Sequence, residues 1–208
     1  LNGFQPLFAR GVRLDAQWAG VIEKAYATWR LRDTTDRPRV ADIAGSNGGA
    51  PTGLHTYGAS VSSRWTQASP IADLIGGREF WYVTQNRTPD AMFDTMQGFC
   101  TTDGRIQSPT VVCSRPEGTP VDGTGFVPSH VYSLLGIGTR PDGRRFYALR
   151  NPWGFVPEIA APYRFELPSR FLGRLDLASG EGGCFAVAHD VFPSAFDFIM
   201  GSTSTRYQ

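Results

Sequence analysis

Ser129-His130-Val131-Tyr132-Ser133-Leu134-Leu135-Gly136-Ile137 and Phe146-Tyr147-Ala148-Leu149-Arg150-Asn151-Pro152-Trp153-Gly154 are apolar, strand-like runs on either side of Thr139-Arg140-Pro141-Asp142-Gly143-Arg144. Pro-Asp-Gly is turn chemistry: proline presets one backbone angle and glycine accepts a positive one. The segment reads as an antiparallel hairpin with a loop of several residues. With the turn centred near residue 142, paired positions should have indices adding to about 284. His130 then enters the hairpin and Asn151 leaves it at the same open end, so their side chains can meet. A neutral amide oxygen that accepts an imidazole N–H fixes the ring and its tautomer, and the other ring nitrogen handles a proton. That is the orienting half of a Cys-His-Asn nucleophile system. Trp153 is placed to cover the hydrogen bond and keep water away. The same residues also describe an ordinary hairpin that ends in a polar pair.

Working outward, the chain has 208 residues, 41% hydrophobic and 12% aromatic, enough for one sizeable core or two small lobes. A net charge of +1 gives no electrostatic case for nucleic acid or an anionic membrane. No run approaches the roughly 18–20 apolar residues of a membrane span. No signal-peptide pattern opens the chain, and its first residue is Leu1. The 24 glycines and 15 prolines argue for many turns rather than a helical bundle. Cys100, Cys113 and Cys184 are odd in number and form no CxxC pair, against both a disulfide framework and a zinc site.

N-terminal to the hairpin, Trp18, Val21, Ile22, Ala25, Tyr26 and Trp29 recur at helical spacing and predict a helix over about 16–31, its apolar face packed in a core. Residues 33–62 are polar and glycine-rich and read as a surface loop, with a short helix around Ala41-Asp42-Ile43-Ala44 and His55 beyond its glycines. No lysine follows those glycines, so a phosphate loop is excluded. Ser69-Pro70 starts a short helix that Gly76-Gly77 ends. Phe80-Trp81-Tyr82-Val83 is a strand candidate. Thr88-Pro89-Asp90 signals another helix start, with Met92, Phe93, Met96 and Phe99 on one face and Cys100 at its end.

Around and beyond the hairpin the sequence is strand-rich. Val111 to Ser114, Tyr163 to Leu167, Phe171 to Leu177 and Cys184 to His189 are strand candidates. Ser194 to Met200 reads as a closing helical turn, followed by a polar tail. Helices first and strands later read as α+β rather than alternating βαβ.

The chain resembles the calpains. The segment from Trp18 to Ala27 is similar to the helix they carry ahead of their histidine lobe. His130-Val131-Tyr132-Ser133 is close to their His-Ala-Tyr-Ser pattern, and Leu149-Arg150-Asn151-Pro152-Trp153-Gly154 matches Arg-Asn-Pro-Trp-Gly. Gly183-Cys184-Phe185 with Phe192 and Phe196 resembles their closing segment more weakly. The resemblance runs from about residue 5 to 200 and implies a papain-like cysteine endopeptidase fold. Residues 1–100 would be the helical, incomplete cysteine lobe, 101–200 the strand-rich antiparallel lobe with His130 and Asn151, and 201–208 a polar tail. It further implies His130 as general base, Asn151 as its orienter, Trp153 as shield, and a protein or peptide substrate.

The departure is the nucleophile. The Gly-Asp-Cys-Trp-like segment of the family, and its oxyanion glutamine, have no counterpart here. Cys100 is expected at a helix end, where the dipole disfavours a thiolate, and Cys113 and Cys184 lie in apolar strand-like runs. The expectation is therefore a histidine-bearing piece whose cysteine comes from an upstream segment or a companion chain. A catalytically inactive calpain-like pseudoprotease that binds proteins is the alternative, and an unrelated β-rich binding module a third. No cofactor is expected. Calpains bind calcium through acidic loops in this lobe, but Phe155-Val156-Pro157-Glu158 and Ser179-Gly180-Glu181-Gly182-Gly183 offer too few carboxylates for its six to eight oxygens.

Overall fold

The computed structural model describes residues 77–203 apart from 162, 166–169 and 173–174. The helices expected at 16–31, 41–44 and 69–76, and His55, lie outside the described residues. Within them the chain is α+β. Strands β1 (Arg78–Val83), β2 (Arg105–Ser114), β3 (Val131–Thr139), β4 (Arg145–Arg150), β5 (Cys184–Ala188) and β6 (Phe196–Thr203) accompany helices α1 (Pro89–Gln97) and α2 (Phe192–Ala195). One antiparallel sheet has the order β1-β6-β2-β3-β4-β5.

The central hairpin forms as its turn chemistry requires. Thr139 pairs with Arg145 and Ile137 with Tyr147, indices adding to 284. A bulge between Leu134 and Gly136 then shifts the register by one, and Ser133 faces Arg150. Side chains alternate between two apolar layers, as strand geometry dictates. Tyr147 and Leu149 of β4 join Phe185 and Val187 of β5 on one face, with Tyr132, Phe192, Phe196 and the buried Met92, Phe93 and Met96 of α1. Phe146 and Ala148 join Cys184, Ala186 and Ala188 on the other, under Phe165, Phe171 and Leu177. This two-sided burial explains why β5 is buried at all five positions.

Helix α1 starts as expected: Thr88 Oγ1 accepts from Ala91 N–H at 3.2 Å, Pro89 opens the first turn and Asp90 follows. Gly98 stops it, so Cys100 lies beyond the helix and bridges to Ile106 instead of ending α1. Strand β1 and α1 precede residue 100, yet they share the sheet and core of the segments that follow it.

Four further expectations are corrected. The closing helical turn is confined to Phe192–Ala195, and Phe196 onward is strand β6. Local pattern was a poor guide here because the segment is inserted between β1 and β2, whose backbones supply its partners. Gly201, Ser202 and Thr203 belong to that strand rather than to a tail. Tyr163 to Phe165 forms only a single bridge, Arg164 to Val187, and Phe171 meets Leu175 in another, so neither forms a strand within the described residues. Leu172, at φ 52°, turns the chain between the last two.

Candidate His–Asn site at the open end of the hairpin

Asn151 leaves β4 directly beneath the start of β3. Its backbone N–H donates to Gly183 O at 2.9 Å, and its carbonyl accepts from Gly154 N–H at 3.0 Å. The side chain is wholly buried. Asn151 Nδ2 donates to Phe155 O at 2.9 Å, and Oδ1 accepts from Trp153 N–H at 3.1 Å. These two backbone partners determine which amide atom is oxygen, because a carbonyl cannot donate and an N–H cannot accept.

His130 Nε2 stands 3.0 Å from that oxygen. Since Oδ1 only accepts, Nε2 carries the proton in the neutral ring. Nδ1 is left with its lone pair, and it is the atom that can take up or release a proton. The tautomer thus follows from the backbone around Asn151. Trp153 lies against the imidazole with ring centroids 4.3 Å apart and planes at 44°, and Tyr132 meets it edge-on at 4.8 Å. Burial lowers the pKa of His130 from its ordinary 6.5, and the Asn151 hydrogen bond opposes that shift. The ring is therefore neutral at pH 7, the state a general base needs.

The pairing has a close-packed support. Gly183 has φ +81°, and a Cβ there would lie 2.7 Å from Asn151 O. Only glycine fits between the asparagine and the turn Glu181–Gly183. On the outer side Trp153 is 36% exposed and Phe155 52%, their rings 5.9 Å apart.

The structure brings together His130, Asn151 and Trp153, and it brings no cysteine to them. Cys113 pairs in register with Val131 and packs with it and Met200, whereas His130 touches Tyr132, which belongs to the opposite layer. Cys184 is buried beside Phe146, and its thiol pKa is raised by that burial. Burial pushes the Cys100 thiol up to about 11. None of the three is in a disulfide. Among the described residues no group of three or more His, Cys, Asp or Glu is arranged to hold a metal ion. Nor is any described helix long and apolar enough to cross a membrane.

Ser114, which no sequence motif marks, and Tyr132 also border His130. Ser114 Oγ and backbone bond to His130, and Tyr132 Oη accepts from Val127 N–H at 3.1 Å. A hydroxyl at a strand end has no local signature; only its partner across the sheet places it against His130. Ser129 is likewise unexceptional as sequence but adopts φ 51°, a left-handed conformation rare outside glycine, next to the histidine.

No family model matches the chain, and no curated protein matches it either.

Proposed function

We propose that this chain is the His/Asn-bearing portion of a calpain-like cysteine endopeptidase with a papain-like fold, its thiolate supplied from outside the chain. The observation that carries the reading is the 3.0 Å contact between His130 Nε2 and the buried Asn151 amide oxygen, beneath Trp153. An amide orienter leaves the ring uncharged overall, and burial of that ring favours the neutral form.

In the proposed reaction His130 Nδ1 accepts the proton of the incoming thiol. The sulfur bonds to the carbonyl carbon of a peptide, and the resulting imidazolium returns the proton to the leaving amine as the C–N bond breaks. Water, deprotonated by the same nitrogen, then adds to the thioester carbon; the C–S bond breaks to release the carboxyl product, and the imidazolium returns its proton to the departing thiolate. Asn151 keeps the Nε2 proton in place throughout. Trp153 excludes water from that hydrogen bond.

A second reading has its own support: the chain's cysteines are unsuited to attack, since Cys113 lies on the wrong layer and burial raises the pKa of Cys100 and Cys184. Under that reading the module is a catalytically inactive relative that binds proteins. One experiment separates the two. The polypeptide that contains this chain, together with any segment preceding it, is treated with a substoichiometric peptidyl thiol-alkylating probe and mapped by mass spectrometry. The peptidase reading expects one cysteine outside the chain to be labelled at least about tenfold faster than free thiols at pH 7, with the advantage lost in His130→Ala. Equal labelling in the parent and in His130→Ala leaves the binding-module reading.

A further inference from the structure

The β2–β3 ladder runs in register through Cys113 opposite Val131, so Ser114 and His130 are the next pair. In a hydrogen-bonded antiparallel pair the two residues exchange both N–H···O bonds. Here only half of the exchange is backbone. Ser114 N–H donates to His130 O at 2.9 Å, but His130 N–H donates to Ser114 Oγ at 2.9 Å. On its other side β2 shifts register against β6 between Cys113 and Ser114, and Arg115 N–H to Ala195 O continues that shifted pairing. At this last pair the serine hydroxyl takes the place of the Ser114 carbonyl as acceptor for His130 N–H. That hydroxyl also donates to Val127 O at 2.6 Å. Ser114 is itself fully buried.

We propose that Ser114 is a positioning residue: its hydroxyl ties the His130 main chain and the Val127 carbonyl together and so holds the imidazole on Asn151. This deepens the proposed function and rests on it for catalytic meaning, while the geometry it describes concerns His130 alone. The need for such a tie is visible in Ser129. Its left-handed backbone, with N–H donating to Arg115 O at 3.0 Å, persists only if the flanking residues are held. Alanine keeps the packing but leaves His130 N–H without its acceptor. Threonine keeps the hydroxyl.

The test reads His130 directly in the full chain labelled with ¹⁵N-histidine. At pH 8, long-range ¹H–¹⁵N correlation should find the Nε2–H tautomer in the wild type. Ser114→Ala should populate both tautomers and speed Nε2 proton exchange roughly five- to tenfold, the range one hydrogen bond supplies. Ser114→Thr should restore the wild-type pattern. If Ser114→Ala does not fold, Ser114→Cys, of similar shape and with a weak donor and acceptor, reads the same signal. A folded Ala or Cys variant with wild-type tautomer and exchange overturns the assignment. So does a Thr variant as perturbed as the Ala variant, since packing rather than the hydroxyl would then be responsible. Thiol labelling of the parent polypeptide separates this outcome from the peptidase reading. A Ser114-dependent Nε2 signal with no labelled cysteine keeps the positioning role and removes the peptidase; labelling with a Ser114-independent signal does the reverse.

Discussion

At the scale of one residue, His130 is a base whose proton inventory is set by its neighbours. Burial lowers its folded pKa below the ordinary 6.5. In the unfolded chain it titrates near the ordinary value. Between the two values the unfolded chain binds more protons, so stability falls as pH is lowered through that window. The contribution is fully present above about 6.5 and is lost progressively below it, levelling off under the folded pKa. His130→Gln has no such titration. The urea midpoint of the wild type relative to His130→Gln should therefore decline from pH 8 to pH 5. A difference that stays constant across that range would show that the ring is not desolvated in the folded chain.

At the scale of the element, the site depends on how the hairpin and the turn before β5 are closed. Two glycines carry similar φ values for different reasons. Gly143, at φ +84°, closes the hairpin loop, and a Cβ there would meet nothing within 4 Å. Gly183, at φ +81°, has the Asn151 carbonyl 2.7 Å from where a Cβ would be. Gly143→Ala should cost only the left-handed backbone penalty, about 1–2 kcal/mol. Gly183→Ala adds a backbone clash to the same penalty and should cost about 1–2 kcal/mol more, with movement of Asn151. Denaturant midpoints rank the two, and the His130 Nε2 proton signal should change only in Gly183→Ala. Equal destabilisation would mean that the Gly183 contact relaxes without cost.

At the scale of the whole molecule, stability resides in the aromatic layer rather than in surface charge. Phe196 sits where α2 passes into β6, with ring centroids 4.6 Å from Phe192, 5.1 Å from Phe126 and 5.9 Å from Tyr132. That last neighbour is also the ring beneath His130. By contrast, Arg145 reaches Asp90 at 3.2 Å and Asp94 at 3.4 Å between exposed carboxylates, and His189 reaches Asp90 at 3.1 Å. Phe196→Ala should cost about 3–5 kcal/mol through transfer and cavity terms. Asp94→Asn should cost under about 1 kcal/mol, since solvent screens an exposed pair. Thermal and denaturant melts of both variants test the ordering. The reverse order would place the fold's stability in the charged tie between α1 and the hairpin.

The amino-acid sequence by itself determined what depends on neighbours in the chain. Pro141-Asp142-Gly143 between apolar runs specified the hairpin and its register to within one bulge, and that register put His130 beside Asn151. Thr88-Pro89-Asp90 specified the start of α1. Tertiary structure alone decided what depends on distant partners. The strand character of Phe196–Thr203 comes from β1 and β2 on either side of it. The contact between Ser114 Oγ and His130 N–H comes from the pairing of β2 with β3. Turn geometry is encoded in a few consecutive residues, whereas a backbone hydrogen bond across a sheet takes its partner from a segment that local pattern does not identify.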